Sequence, residues 1–400
     1  MPDYRLNHYT DSMAHLFDYL AWRGDLSFAQ DPFNPVDALI FCQLSYLPFD
    51  NIIPPPGGNA GISIAAAAEI FSQKHKKKAL DGYIQFKDDP ELLQTLGGSN
   101  RFKDCMLHSF VNNIDEAQEK QFCALCINNG EATGIAYRGT DVSLVGWKED
   151  LNMSFIDVIP SQREAVSYLE TIAHNTTGPL LVGGHSKGGN LAVYAASSAA
   201  HSIQKRIKRI YTLDAPGFDR RMIASEGYQK IKELIISYIP QSSVIGLLFE
   251  HGEDSTVIQS SQTGLLQHDL YSWELRYNDM VKLETLDQGS RFADKTLKGW
   301  INSMDTEHRQ QFVEALFAIL SATQAKSLLD LGSDWFNAAV KMLQSLGNID
   351  PSTRKVIRRA ISALFKAAKD NFDTLIDPQL LAKAPKFRQP RTRQAQHIAK

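Results

Sequence analysis

The sequence predicts an α/β fold with a mostly parallel central sheet, N-terminal helices and a C-terminal helical appendage. Two observations predict it. Short apolar runs alternate with helical spacing through the middle of the chain: a helix over Ser161–His174, a strand before Gly183, an Ala-rich helix, then strands over Arg209–Leu213, Glu233–Ile239 and Thr256–Ser260. That alternation is the pattern of a parallel sheet covered on both faces. The second observation is local. Pro179 to Ala200 reads PLLVGGHSKGGNLAVYAASSAA, an apolar run, then Gly184-His185-Ser186-Lys187-Gly188, then a helix. G-x-S-x-G between a strand and a helix holds a serine at a sharp, strained turn, with glycines where side chains would collide.

The elements before the serine follow in order. Ser12–Trp22 has helical spacing, with Met13, Leu16, Phe17 and Leu20 on one face. Pro35–Leu47 is a second apolar helix with proline in its first turn. After the breaker Pro54-Pro55-Pro56-Gly57-Gly58, the spacing predicts a helix over Ile62–Gln73, closed by the cations His75-Lys76-Lys77-Lys78. Gln121–Asn128 and Gly134–Tyr137 read as strands joined at Asn129-Gly130, a hairpin signal. Beyond Ser290 the pattern is helical: Phe292–Ile301, Thr306–Leu320, Thr323–Leu346 and Pro351–Phe372. The expected organisation is a catalytic unit over 1–289, a helical appendage over 290–385 and a basic tail over 386–400.

Composition narrows the class. The chain is 43% apolar and 22% charged with a net charge of −3, so no basic field points to nucleic acid. No run of about 18 apolar residues predicts an integral membrane segment. The first residues lack the basic end and apolar core of a signal peptide, so the expected location is cytoplasmic. Four cysteines fit a reducing compartment. Cys123 and Cys126, three apart in a strand, point to opposite faces and read as buried hydrophobes, not a metal site.

A serine hydroxyl needs a base, and the base an orienting acid. In an elbow of this kind the chain order is serine, acid, histidine. Of the eleven histidines, His268 and His251 follow the elbow at places from which a loop can return to it; His268 follows the last strand and is preferred. Asp214 stands at the end of the strand after the elbow helix, turned by Ala215-Pro216-Gly217, at the sheet's carboxyl edge where ligands bind. Glu250, Glu253, Asp254 and Asp269 are the alternatives. The backbone N–H of Lys187 is one expected oxyanion donor; Thr140, in Tyr137-Arg138-Gly139-Thr140, sits where the second belongs. Tyr137, Phe218 and Leu247, the last in the apolar segment Val244–Phe249, are the candidate substrate contacts. No metal or cofactor is called for.

YRGT followed by GW and Asp150, then GHSKGG and HDLYSW, resembles the class-3 lipase pattern of the α/β-hydrolases. Where that family carries its aspartate, this chain has Ser242-Ser243. LDAPGF is closer to the pancreatic-lipase-like arrangement, which favours Asp214. FDYLAWRGDLSF, VDALIFCQLSYL, GHSKGGNLAVYAA and YIPQSSVIGLL together are similar to a narrower bacterial family, Mbeg-like, a domain of unknown function among the lipase-like α/β-hydrolases. The resemblance runs over roughly Phe17–Trp273. It implies an α/β-hydrolase fold and cofactor-free hydrolysis of a small-molecule or lipid carboxylic ester. The alternatives are a hydrolase fold used as a binding scaffold, or the same chemistry on phospholipids or thioesters.

Overall fold

A computed structural model describes residues 14–57, 61–74, 85–141 and 143–321. The strands β1 (Ile62–Ser63), β2 (Met106–Asp115), β3 (Lys120–Asn128), β4 (Thr133–Tyr137), β5 (Leu180–His185), β6 (Ile207–Leu213), β7 (Ile235–Pro240) and β8 (Ser255–Ile258) form one sheet in sequence order. β1 to β4 pair antiparallel; β4 to β8 pair parallel. The helices are α1 (Leu16–Arg23), α2 (Pro35–Leu44), α3 (Ile64–Lys74), α4 (Asp89–Gly98), α5 (Leu144–Asn152), α6 (Pro160–Asn175), α7 (Lys187–Ser198), the short α8 (His201–Gln204), α9 (Arg220–Ile223) and α10 (Glu226–Ile231), then α11 (Gln288–Asn302) and α12 (Thr306–Ser321). A sheet whose parallel half carries a nucleophile-type turn after β5, with helices on both faces, is the α/β-hydrolase fold.

Strand β3 explains why the centre of the chain reads as unbroken apolar runs. Its side chains alternate between two cores. Cys123, Leu125 and Ile127 pack with α1 to α4 on one face, and Phe122, Ala124 and Cys126 pack with α6 and α7 on the other. Cys123 and Cys126 therefore do face apart, as free buried thiols whose ionisation burial suppresses, pushed up to about 11 and about 12. Asn34 starts α2: its side chain accepts the N–H groups of Val36 and Asp37, and Asp37 accepts the N–H of Asn34 in return at 2.9 Å.

Several boundaries differ from the sequence reading. Strand β5 continues through Gly183 and Gly184 to His185. The bare Gly183 lets Tyr211 and Cys42 close in from both sides; a Cβ there would lie 3.1 Å from the Tyr211 carbonyl oxygen and 3.2 Å from Cys42 Sγ. The predicted helix over Ile62–Gln73 begins two residues later, because Ile62 and Ser63 pair with Leu107 and Met106. Strand β2 and helix α4 escape the sequence pattern. β2 is polar along MLHSFVNNID and is broken by a bulge between His108 and Val111, where Ser109 takes φ 58°. Helix α12 joins the main body: Val313 and Phe317 pack on Leu144 of α5, and Arg309 donates to the Ser154 carbonyl at 2.5 Å. The cation run at 75–78, the helices expected over 323–346 and 351–372 and the tail at 386–400 lie outside the described residues. Among the described residues no helix is long and apolar enough to cross a membrane.

Candidate active site

The elbow is built from close backbone approaches. Ser186 takes φ 57°, ψ −134°, immediately before α7, a conformation that L-residues hold only when their surroundings force it. The forcing contacts are visible at the glycines. A Cβ on Gly184 would lie 2.1 Å from the carbonyl carbon of Gly188, and one on Gly188 would lie 2.0 Å from the Tyr137 oxygen. Strand, turn and helix are thus pressed together with no room for a methyl group. The Ser186 N–H bonds the Leu213 carbonyl at 2.9 Å, pinning the turn to β6.

Asp214 stands at the end of β6, also in the left-handed region, with φ 47°. Its carboxylate is buried and fully engaged. Oδ2 meets His268 Nδ1 at 2.6 Å, and Oδ1 accepts from Ser243 Oγ at 2.5 Å and from the Gly246 N–H at 3.0 Å. The last two partners come from the loop after β7, so Ser243 steadies the carboxylate at the end of the neighbouring strand. His268 ends a 3-10 turn, Gly264–His268, anchored where the indole N–H of fully buried Trp273 donates to the Gln267 carbonyl at 2.9 Å.

The His268 ring lies 4.3 Å from the ring of His185, the residue before Ser186. Among the described residues Ser186 Oγ and His268 share no hydrogen bond. His185 is held neutral: burial, then the neighbouring His268, pushes its pKa well below the usual histidine range. Tyr46 Oη accepts the Gly139 N–H at 3.2 Å and shares a hydrogen bond with His185 Nδ1 at 2.7 Å. One tyrosine hydroxyl therefore links the YRGT loop to the elbow. Gly139 itself abuts Ser186; a Cβ there would lie 2.9 Å from Ser186 Cβ and 2.4 Å from Tyr46 Oη.

Thr140 follows in that loop. Its hydroxyl donates to Asp150 Oδ2 at 2.5 Å. Burial lifts the Asp150 carboxyl to about 6, against the pull of the Lys187 ammonium and the Thr140 hydrogen bond. Arg138, buried beside it, donates to Asn112 Oδ1 and Asp141 Oδ2.

The other candidates fall elsewhere. His251 pairs with Glu253 at 3.2 Å, and Glu253 also accepts the Tyr228 hydroxyl. Asp269 accepts the Tyr271 N–H, and Glu250 pairs its main chain with Phe218. Tyr137 is a correction. Its carbonyl touches the elbow, but its ring is fully buried against Phe122 and Tyr168 and its hydroxyl donates to the Ala165 carbonyl at 2.8 Å. It is a core residue because its side chain takes the face of β4 that α6 and α7 cover. Phe218 lines a cavity of about 250 Å³ with Phe155, Tyr194, Met222 and Phe249; the cavity reaches Asn190, one turn along α7 from Ser186. Leu247 sits half-buried in the 3-10 turn Ile245–Leu247, next to Gly246. Sequence reasoning missed the parts of Tyr46, Ser243 and the Lys187 side chain. Only Lys187 carried a signal, a charge at a helix start that the elbow buries. Among the described residues no group of three or more His, Cys, Asp or Glu side chains is arranged to hold a metal.

The Mbeg1-like family model matches residues 96–318, more than half of the chain, and covers the elbow, Asp214 and His268. Two solved structures are similar at low identity. The native Rhizomucor miehei lipase propeptide complex is 14% identical, with a TM-score of 0.32, over 48% of this chain and 66% of that one. M37 lipase is 16% identical, with a TM-score of 0.31, over 52% and 68%. The chain thus spans about two thirds of the length of either lipase chain. A comparison with the curated proteins finds no match.

Proposed function

This chain belongs to the Mbeg1-like family, and we propose that it is a serine carboxylic ester hydrolase working through an acyl-enzyme. Ser186 Oγ bonds to the ester carbonyl carbon while His268 Nε2 takes its proton. The carbonyl oxygen becomes an oxyanion held by the N–H groups of Lys187 and Thr140. Collapse of that adduct breaks the ester bond, and the alcohol leaves with the proton from His268. Water then attacks the acyl-serine by the same route and releases the carboxylic acid. Asp214 fixes the ring so that Nδ1–H faces the carboxylate and Nε2 faces the reaction. Phe218, which lines the cavity reaching Asn190, and Leu247 are the apolar contacts assigned to a small-molecule or lipid ester.

The observation that carries the reading is the 2.6 Å contact between His268 Nδ1 and a buried aspartate that has two further donors, beside a serine in strained backbone. The partly exposed imidazole sits at the carboxyl edge of a parallel sheet, where ligands bind in such folds. Ser186→Ala is expected to lower turnover of a short p-nitrophenyl ester by about 10⁴-fold or more, with an unchanged thermal transition. An undiminished rate would sink the reading. A fluorophosphonate should label the wild-type chain at Ser186; a chain that stays unlabelled and inactive is a binding scaffold instead.

A further inference from the structure

The residue after the nucleophile carries a charge into the interior. Lys187 is the first residue of α7, and its side chain is only 1% exposed. A buried ammonium is costly unless every proton finds an acceptor. Here Nζ donates to the Gln121 carbonyl at 3.1 Å, to Gln121 Oε1 at 3.0 Å and to Glu149 Oε2 at 3.0 Å. Those three bonds use its three donors. Glu149 is fixed in turn: Oε2 accepts from the Gln121 N–H and Ser161 Oγ, and Oε1 from the Ser161 N–H.

A second carboxylate closes on the same cation. Asp150, next to Glu149 on α5, places Oδ1 3.6 Å from Lys187 Nζ, and that oxygen has no hydrogen bond. Its other oxygen accepts the Thr140 hydroxyl. The attraction of an unscreened ammonium for an oxygen with no other partner is strong in such surroundings. The chain of contacts runs from the elbow, through Lys187 Nζ and Asp150, to Thr140, and Thr140 follows the Gly139 that abuts Ser186.

We propose that Lys187 is a positioning residue for the oxyanion loop, its ammonium holding Asp150 so that Asp150 holds Thr140 and sets the Thr140 N–H opposite the Lys187 N–H. The inference rests on the ester-hydrolase reading and deepens it. One residue supplies one oxyanion donor from its main chain and places the other through its side chain. Binding of the ester before any charge develops does not depend on this placement; the tetrahedral adduct does.

A double-mutant cycle in the full chain tests it, with kcat and KM for a short p-nitrophenyl ester. Lys187→Met should lower kcat roughly 10- to 100-fold with KM changed less than about twofold. Thr140→Val cuts the same tether and should cost a similar factor. Lys187→Met in the Thr140→Val background should then cost nothing further. Losses that multiply, or a loss confined to KM, overturn the proposal. Because Lys187→Met strands the buried Glu149 carboxylate, the cycle is repeated with Glu149→Gln added to both arms to relieve the unpaired charge. The expected result is a recovered melting temperature with kcat still low. A Lys187→Met/Glu149→Gln chain with wild-type kcat shows that the lysine serves stability alone and ends the idea. Failure of the two readings is distinguishable. An inactive wild-type chain that resists fluorophosphonate removes the ester hydrolase and the inference together, whereas an active wild-type chain with multiplying losses removes only the inference.

Discussion

Under the N-terminal helices, Arg101 meets Asp37 through two hydrogen bonds, Nε to Oδ1 at 2.9 Å and Nη2 to Oδ2 at 2.5 Å. Under the elbow, Lys187 meets Glu149 through one, and faces Asp150 across 3.6 Å. Both cations are buried, yet the networks end differently. Arg101 also donates to the carbonyls of Asp31 and Pro32 and lies over the Phe28 ring at 4.1 Å, while Asp37 takes the Tyr19 hydroxyl and the Asn34 N–H. That fork is closed: it ties α1, α2 and the loop between them into one piece. The lysine cluster is open, leaving Asp150 Oδ1 and Gln121 Nε2 without hydrogen bonds. Its Asp150 Oδ1 faces Lys187 Nζ, and the other oxygen of that carboxylate holds Thr140. The difference teaches that burial of a charge does not by itself say what the charge is for. A saturated network fixes packing, and an unsaturated one beside strained backbone is where placement for chemistry should be sought.

The largest expected effect breaks the closed fork. Asp37→Asn leaves the Arg101 charge without its partner and should lower the urea-unfolding free energy by about 3–5 kcal/mol. Esterase kcat per folded molecule should not change, and a specific kcat loss would erase the contrast between the two networks. Ser243→Ala removes the 2.5 Å bond to Asp214. A hydrogen bond to a charged group contributes about 1.5–3 kcal/mol to stability, so the melting temperature should fall by a few degrees, and kcat per folded molecule should fall roughly tenfold as the carboxylate loses its hold. A lower melting temperature with intact kcat would place Ser243 with the scaffold. The smallest effect concerns a third way to bury a carboxyl, with no cation. Asp89 accepts from Gln43 and Tyr271, and burial pushes it up to about 7. The folded chain therefore holds a proton that the unfolded chain has already lost, so stability declines as pH rises from the ordinary aspartate range to about 7. Asp89→Asn cannot titrate. Its melting temperature relative to wild type should rise by a few degrees between pH 5 and pH 8, and an equal difference at both would refute the assignment.

Much of the fold was legible because it depends on neighbours in sequence. The Asn129-Gly130 hairpin, α6, α7 and strands β5 to β7 follow from periodicity and turn residues over short windows. Strand β2 was not legible: its polar residues and its bulge hide a strand that only pairing with β3 makes necessary. At the site, Ser186, Asp214 and His268 could be named from chain order. Tyr137 could not be placed, since which face of β4 carries it depends on register against β3 and β5.

The sequence alone determined the turn at Ser186. Glycine at 184 leaves room for the Gly188 backbone, which a Cβ there would meet at 2.1 Å, and both residues belong to the same short stretch. Tertiary structure alone brought Asp214 onto His268 and decided what Ser243 does and where the Lys187 charge goes. Those contacts join residues 54, 29 and 38 positions apart. Only the order and register of assembled strands brings such groups within the few ångströms over which a hydrogen bond acts.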